Sequence, residues 1–336
     1  MVAASAGNHA QGVALAAALL GTRATVFMPV TAALPKVAAT RGYGATVELA
    51  GATLTESLAA AVDVAQASGA VFVHPFDHPD VIAGQGTLGL ELADQCAAAG
   101  IDAGTVLVPT GGGGLVAGTA VALRERRPGV RIVAVQAEGA AAFPASLAAG
   151  RPVALGSVAT MADGIAVGAP GELTLAHVRE LVDDVVTVTE EDLSRALLFC
   201  LERAKLLVEP AGVAAVAALL AAPDSFRPPV VAVLSGGNVD PVLLLEVIQH
   251  GMTAAGRYLS LRLRVPDRPG SLVAVLKELA ALGANVLEVA HERTSERLHV
   301  GEVEIAVVVE TRGPEHARTL LAALQQAGYT VVGPGR

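Results

Sequence analysis

The chain has 336 residues, enough for two domains at roughly 150 residues each and for a substantial buried core. Charged residues make up 16% against the roughly 25% of an average soluble protein, and apolar residues reach 53%, which excludes a disordered chain and suits a sheet covered on both faces. The formal charge of -9 repels phosphate backbones and no Lys or Arg cluster reverses it locally, so nucleic acid is excluded as a partner. The most apolar window, 105–123, is broken by Pro109 and the run Gly111 to Gly114, short of the about 18 uninterrupted apolar residues of a membrane span. Cys96 and Cys200 lie far apart with no metal-type spacing, and no secretion pattern is read at Met1. Free thiols and a cytoplasmic location are the expectation.

Up to about Gly251, short β-branched runs alternate with Ala- and Leu-rich helical stretches, the pattern of βα repeats around a parallel sheet. Strands are predicted at 24–28, 46–49, 71–73, 105–108, 131–136 and 230–234. Helices are predicted from about 80 to 99, from 115 to 126 and, opened by Thr189, from 190 to 207, with 243–257 as a last helix and linker. From Tyr258 the texture becomes compact: strand 258–265, a turn at 267–270, helix 271–282, strands 285–291 and 301–310, helix 314–327 and strand 329–332. That order is βαββαβ, the split arrangement with helices on one face of an antiparallel sheet. The expected domains are therefore 1–251 and 258–336.

Three loops at strand ends carry chemistry. After strand 105–108 come Thr110, Gly111, Gly112, Gly113 and Gly114 and then a helix, so free N–H groups and a positive helix end would face one spot. An anion cradle and a tight packing turn both fit. Within the run, Gly112, Gly114 and Ala117 also satisfy a dinucleotide pattern, with Glu138 where a ribose-binding acid would sit, so a nicotinamide dehydrogenase is one alternative. The other two loops are Ser5 to Gly12 and Ser235 to Asn238. In an open parallel sheet, ligands bind outside the carboxyl ends of the strands, where all three could meet. Neither serine sits in a nucleophile elbow.

Ser-Ala-Gly-Asn-His at 5–9, Thr-Gly-Gly-Gly-Gly-Leu at 110–115 and Ser-Gly-Gly-Asn-Val-Asp at 235–240 together resemble the fold-type II pyridoxal phosphate enzymes, specifically the threonine/serine dehydratase and serine racemase group. The stretches 36–45, 82–87, 161–164 and 208–212 are similar to that group in the same order, and the chain from Tyr258 is similar to an ACT domain, an amino-acid sensing module. The resemblance implies an α/β fold with an open twisted parallel sheet in two lobes, incomplete at the N-terminus, plus a small ferredoxin-like unit. It implies pyridoxal 5′-phosphate as cofactor, with Gly111, Gly112, Gly113, Gly114 and Leu115 on the phosphate, Asn8 on the 3′-oxygen, Ser235 at the pyridine nitrogen and Glu209 near the ring edge. Ser5, Ala6, Gly7, Asn8 and His9 would hold the substrate carboxylate. Asp267, Pro269, Gly270 and Asn285 would hold an amino-acid effector; from the residues alone, 267–271 reads as a turn and helix start. A homo-oligomer, dimer or tetramer, is expected. Glu138 resembles a cation ligand of relatives, but Pro144 cannot supply the second carboxylate, so no metal is expected.

Two departures shape the activity expected. Serine racemases carry a second serine, the base on the opposite substrate face, where this chain has Ala6, and a one-sided site eliminates rather than racemises. The family's Schiff-base lysine precedes the Ser-Ala-Gly-Asn-His loop, and this sequence begins four residues before that loop. Lys36, Lys205 and Lys277 are its lysines, all read as lying away from the ring. A start site placed too late, or a truncation, is expected. The resemblance thus implies a threonine dehydratase, also acting on serine and regulated by an amino acid. A truncated amino-acid-binding protein without activity, or a serine racemase, are the alternatives. His74, Asp77, His78 and Asp80 read as a polar loop rather than a metal cluster, Glu190 to Asp192 as a helix start, and Arg262 and Arg264 as a solvent face.

Overall fold

The computed structural model describes residues 1–5, 7–254, 256–293 and 298–332, which fall into two compact units, Met1–Pro241 and Val242–Arg336. Ala6 of the expected substrate loop lies outside the described residues.

The first unit contains two parallel sheets, built as the βα alternation requires. One takes β1 (Val2–Ala4), β2 (Thr25–Met28), β3 (Thr46–Leu49) and β4 (Phe72–Val73) in the order β3-β2-β1-β4, with helices α1 (Asn8–Leu19), α2 (Leu34–Gly42) and α3 (Leu54–Ser68). Alternation along β1 divides its side chains between two clusters, Ala3 with Ala10, Val13 and Val26, and Val2 and Ala4 with Phe27, Ala61 and Ala65. Both faces of the strand are covered, which is why it reads as a continuous apolar run.

The other sheet has the order β7-β6-β5-β8, from β5 (Thr105–Pro109), β6 (Arg131–Ala137), β7 (Asp184–Val188) and β8 (Val230–Ala232). It is dressed by α4 (Pro79–Ala98), α5 (Gly114–Arg126), α6 (Ala142–Ala149), α7 (Glu172–Leu181), α8 (Glu190–Phe199) and α9 (Ala214–Ala221). Val106, Val108, Ile132, Leu123 and Phe143 form its core. Helices α4 and α5 touch backbone to backbone: a Cβ on Gly118 would meet the Ile82 carbonyl at 2.2 Å and the Gly86 nitrogen at 2.6 Å.

The central strands β1 and β5 open, at their carboxyl ends, into the Ser5 loop and the glycine loop, while β4 and β8 open into the His74 and Ser235 loops. Parallel topology therefore collects all four loops on one side of their sheets.

Several elements differ from their predicted bounds. The helix expected over 190–207 stops at Phe199, continues as one π-turn over Cys200–Ala204, and ends at Lys205 in the left-handed conformation at φ 59°. Strands β1 and β7 were not among those predicted. The first is only three residues long, and the second is a sheet edge whose half-exposed, irregular burial hides the period.

In the second unit, α10 (Pro241–Ala254) precedes β9 (Tyr258–Pro266), α11 (Ser271–Ala281), β10 (Asn285–Glu292), β11 (Glu302–Glu310), α12 (Pro314–Gln326) and β12 (Thr330–Val331). The sheet order β10-β11-β9-β12 is antiparallel throughout, the expected βαββαβ arrangement. Leu261, Leu263, Ile305 and Val307 pack against Val275, Leu279, Leu320 and Leu324. The opposite face corrects the reading of Arg262 as simply solvated: its guanidinium meets Glu292 and Glu304, and Glu304 is only 4% exposed. A carboxylate buried in a sheet needs that partner. Among the described residues no helix is long and apolar enough to cross a membrane.

Gly118→Ala is expected to destabilise the first unit by about 3 kcal/mol, since no flexible side chain can yield to the added methyl. Gly129→Ala, which meets nothing within 4 Å, is expected to change stability by less than about 0.5 kcal/mol. Thermal melts of the two variants check this.

Candidate active site

The glycine loop is a cluster of unsatisfied donors. Gly112, Gly113 and Gly114 are buried, and among the described residues none of the N–H groups from Gly111 to Leu115 donates to a protein acceptor. Buried backbone N–H groups almost always have a partner, so this set calls for an acceptor from outside the chain. The dipole of α5, which begins at Gly114, favours an anion there. Gly113 adopts φ +96°, which only glycine takes without strain. A Cβ on Gly112 would lie 2.4 Å from the Phe76 ring, and one on Gly113 would lie 2.6 Å from Phe143. The glycines are thus dictated by what packs beneath them.

The Ser5 and Ser235 loops meet at Glu209. Asn8 Nδ2 donates to Glu209 Oε1 at 3.3 Å, and Asn238 Nδ2 donates to Asn8 Oδ1 at 3.4 Å. The Glu209 N–H donates to the Gly236 carbonyl at 3.0 Å and the Ser235 N–H to the Gly212 carbonyl at 3.3 Å. Glu209 lies so close that a Cβ on Gly236 would be 2.0 Å from its Oε1. Burial, reinforced by the Asp163 charge, raises the Glu209 pKa, with Lys36 and the hydrogen bonds from Asn8 and Asn238 opposing.

A single turn, Asp163–Ile165, joins this group to the glycine loop. On one side, Gly111 approaches Ile165 so closely that a Cβ would lie 2.9 Å from its Cα; on the other, a Cβ on Gly164 would lie 2.9 Å from Ala211 and 3.6 Å from Glu209 Oε1. Lys36 reaches this turn. Its ammonium pairs with Asp163 on this turn, and its side chain is only 15% exposed. Lys205, which ends the π-turn, donates to the Glu202 carbonyl, and Lys277 lies on α11 in the second unit.

Histidines support the same rim. Ser5 Oγ accepts the Gly7 N–H at 3.1 Å, preparing the start of α1, and His9 Nε2 donates to the Val73 carbonyl at 3.1 Å. Burial lowers the His9 pKa and, with the neighbouring His9 and His78 rings and against Asp77, that of His74. Neutral His74 accepts through Nδ1 from the N–H groups of Phe76 at 3.2 Å and Asp77 at 2.7 Å. The loop 74–80 therefore folds around its own backbone. The carboxylates at 190–192 belong to a helix start: Thr189 and Asp192 cap α8 reciprocally, and Glu190 accepts the Met161 N–H at 2.9 Å.

These loops can be compared with known proteins. Residues 1–236 match the family described as "Pyridoxal-phosphate dependent enzyme", and residues 259–328 match the ACT domain. The chain belongs to the pyridoxal-phosphate dependent enzyme family. It is 47% identical over 332 residues to L-threonine ammonia-lyase of Geobacter sulfurreducens, covering 98% of this chain and 82% of that protein. The corresponding enzyme of Thermotoga maritima is 44% identical over 331 residues, with the same coverage. Among solved structures, the threonine deaminase of T.th. aligns with a TM-score of 0.68 at 42% identity over 71% of this chain and 77% of that one, and maize serine racemase with 0.68 at 35% over 76% and 78%.

The site suits that family's cofactor. An array of N–H groups with no acceptor among the described residues, three of them on buried glycines at a helix N-terminus, fits a phosphate monoester. The dinucleotide alternative is set aside: Glu138 is an exposed residue in the turn after β6, and the family matched over residues 1–236 is described as pyridoxal-phosphate dependent.

The effector residues are not brought together within one chain. Asp267, Pro269 and Gly270 lie at the end of β9, with Asp267 paired to Arg293, while Asn285 pairs in register with Glu310, which lies opposite Tyr258 at the start of β9. Helix α11 carries the chain back along the sheet, so the two groups sit roughly 27 Å apart at about 3.4 Å per residue of β9. Sequence reading passed over Phe76, Gly171, Thr174 and Asn238. Only Asn238 carried a signal, its place in the Ser235 loop.

Because the Glu209 pKa is raised, the folded state holds its proton to higher pH than the unfolded chain does, and stability from this group falls as pH rises through the raised value. Glu209→Gln keeps the acceptor for Asn8 and removes the charge. Its melting temperature is expected to exceed the parent's by a few degrees near pH 7, with the gain vanishing by about pH 4, in a pH series of melts.

Proposed function

We propose that the chain is an L-threonine ammonia-lyase, converting L-threonine to 2-oxobutanoate and ammonia and also accepting L-serine. The observation that carries this reading is the convergence of Asn8, Glu209 and Asn238 with a donor cradle at Gly111 to Leu115, on a chain 47% identical to a protein of that name. Bound pyridoxal phosphate supplies an electron sink that acidifies the substrate Cα–H.

In this reading Gly111 to Leu115 would hold the phosphate through their N–H groups, Asn8 would donate to the 3′-oxygen, and the Ser235 hydroxyl would face the pyridine nitrogen. A hydroxyl does not keep that nitrogen protonated as a carboxylate would, and this milder withdrawal suits elimination. Ser5, Gly7 and His9, at the positive end of α1, hold the substrate carboxylate. Position 6 carries a methyl in place of a hydroxyl, so the opposite face of the substrate has no base there. That selects elimination over inversion at Cα.

The family's lysine is the amine that takes the Cα proton, and we assign that role to none of Lys36, Lys205 and Lys277. Lys36 is held by Asp163, Lys205 by a main-chain carbonyl, and Lys277 belongs to the other unit. We further read the chain as a cytoplasmic homo-oligomer whose catalytic part extends to about residue 251 and whose part from 258 senses an amino acid through Asp267, Pro269 and Gly270 of one subunit and Asn285 of another.

The test supplies the amine from solution. With pyridoxal phosphate and ethylamine, the chain is expected to turn L-threonine into equal amounts of 2-oxobutanoate and ammonia, in proportion to the ethylamine added, and Lys36→Ala is expected to retain this turnover. D-serine as the main product from L-serine would overturn the reaction class. Turnover without ethylamine that Lys36→Ala abolishes would make Lys36 the amine and overturn its exclusion.

For the sensing unit, titration with the branched-chain amino acids is expected to raise the melting temperature. At a hundredfold excess over Kd the stabilisation is about 2.7 kcal/mol. A flat response to every proteinogenic amino acid, in both melting temperature and turnover, removes the regulatory assignment.

A further inference from the structure

The glycine cradle is held from below by a relay that runs between the two sheets of the first unit. Thr174 is the third residue of α7, whose N-cap position is Gly171, a residue with no side chain to cap the helix. The Asp77 carboxylate, from the loop after β4, takes over that duty: its Oδ1 accepts the Thr174 N–H at 3.0 Å. Gly171 leaves the room, since a Cβ there would lie 2.0 Å from Asp77 Cγ. Asp77 is itself placed by His74, whose Nδ1 takes the Asp77 N–H.

The relay ends on the cradle. Thr174 Oγ1 accepts the Gly171 N–H at 3.1 Å and donates to the Gly112 carbonyl at 2.7 Å. A trans peptide is planar, with its C=O and N–H pointing in opposite directions. Fixing the Gly112 oxygen toward Thr174 therefore fixes the Gly113 N–H to point away from it. The Gly112–Gly113 peptide is flanked by glycines and would otherwise rotate freely. On the opposite side, Phe76 packs under Gly112 and Gly114.

We propose that Asp77 and Thr174 are positioning residues for the phosphate of the cofactor, setting the direction of the Gly113 N–H by holding the Gly112 carbonyl. The proposal rests on the reading that Gly111 to Leu115 bind that phosphate. It also ties cofactor affinity to the spacing of the two lobes, because Asp77 follows β4 of one sheet while Thr174 and Gly112 belong to the other.

The test compares pyridoxine 5′-phosphate with pyridoxine, neither of which carries an aldehyde, so no lysine enters the measurement. Equilibrium dialysis of the unmodified chain is expected to show at least a hundredfold preference for the phosphorylated compound. Thr174→Val, which keeps the side-chain shape and loses the hydroxyl, is expected to cut that preference at least tenfold while pyridoxine affinity changes less than twofold. Thr174→Ser is expected to restore it. Asp77→Ala is expected to behave like Thr174→Val and Asp77→Asn like Thr174→Ser; if Asp77→Ala does not fold, the Thr174 pair decides. An unchanged preference in a folded Thr174→Val would overturn the positioning role and leave the cradle reading standing. A parent chain without preference for the phosphorylated compound would overturn both.

Discussion

Five consecutive backbone N–H groups at the mouth of α5 have no acceptor among the described residues, and three of them belong to buried residues. An unpaired buried donor costs on the order of 1–3 kcal/mol, and a row of them is tolerated only where a ligand completes the set. The surrounding packing serves this one constraint. Gly113 takes a conformation closed to other residues, Phe76 and Phe143 leave no room for side chains, and Thr174 anchors the peptide that aims the donors. The rest of the site, Asn8 with Glu209 and Asn238, then lies one turn of chain away at Asp163–Ile165.

Much of this was legible in the sequence, for physical reasons. Strands 105–108 and 131–136 are short apolar runs between helical stretches, and strands buried on both faces look like that. The glycine run and the Ser5 and Ser235 loops were visible because residues that contact a ligand through the backbone must be small, and they follow strands in the order parallel topology needs. The βαββαβ order of the second unit followed from its turns and helix stops.

The rest was hidden because it depends on contacts between distant segments. Nothing in His-Pro-Phe-Asp at 74–77 shows that its carboxylate caps a helix almost a hundred residues later, or that its phenyl ring fits under Gly112. The short edge strand β7 lost its period to partial exposure, and the helix from Glu190 was overextended because a π-turn keeps a helical composition. The pairing of Lys36 with Asp163 was hidden because it spans 127 positions. Asn285 was read as adjacent to Asp267, since a crossover helix that returns the chain to the far end of its sheet leaves them only 18 positions apart in the sequence.

The site therefore combines a cluster of main-chain donors at Gly111 to Leu115 with a side-chain group of Asn8, Glu209 and Asn238. The most direct measurement of the central claim is the amide spectrum of the glycine loop in an isotope-labelled chain titrated with pyridoxine 5′-phosphate. The Gly113, Gly114 and Leu115 N–H signals are expected to move downfield together, as new acceptors complete their hydrogen bonds. Saturation of the protein with those three signals unmoved would show that the anion binds elsewhere and that the cradle is only a packing turn.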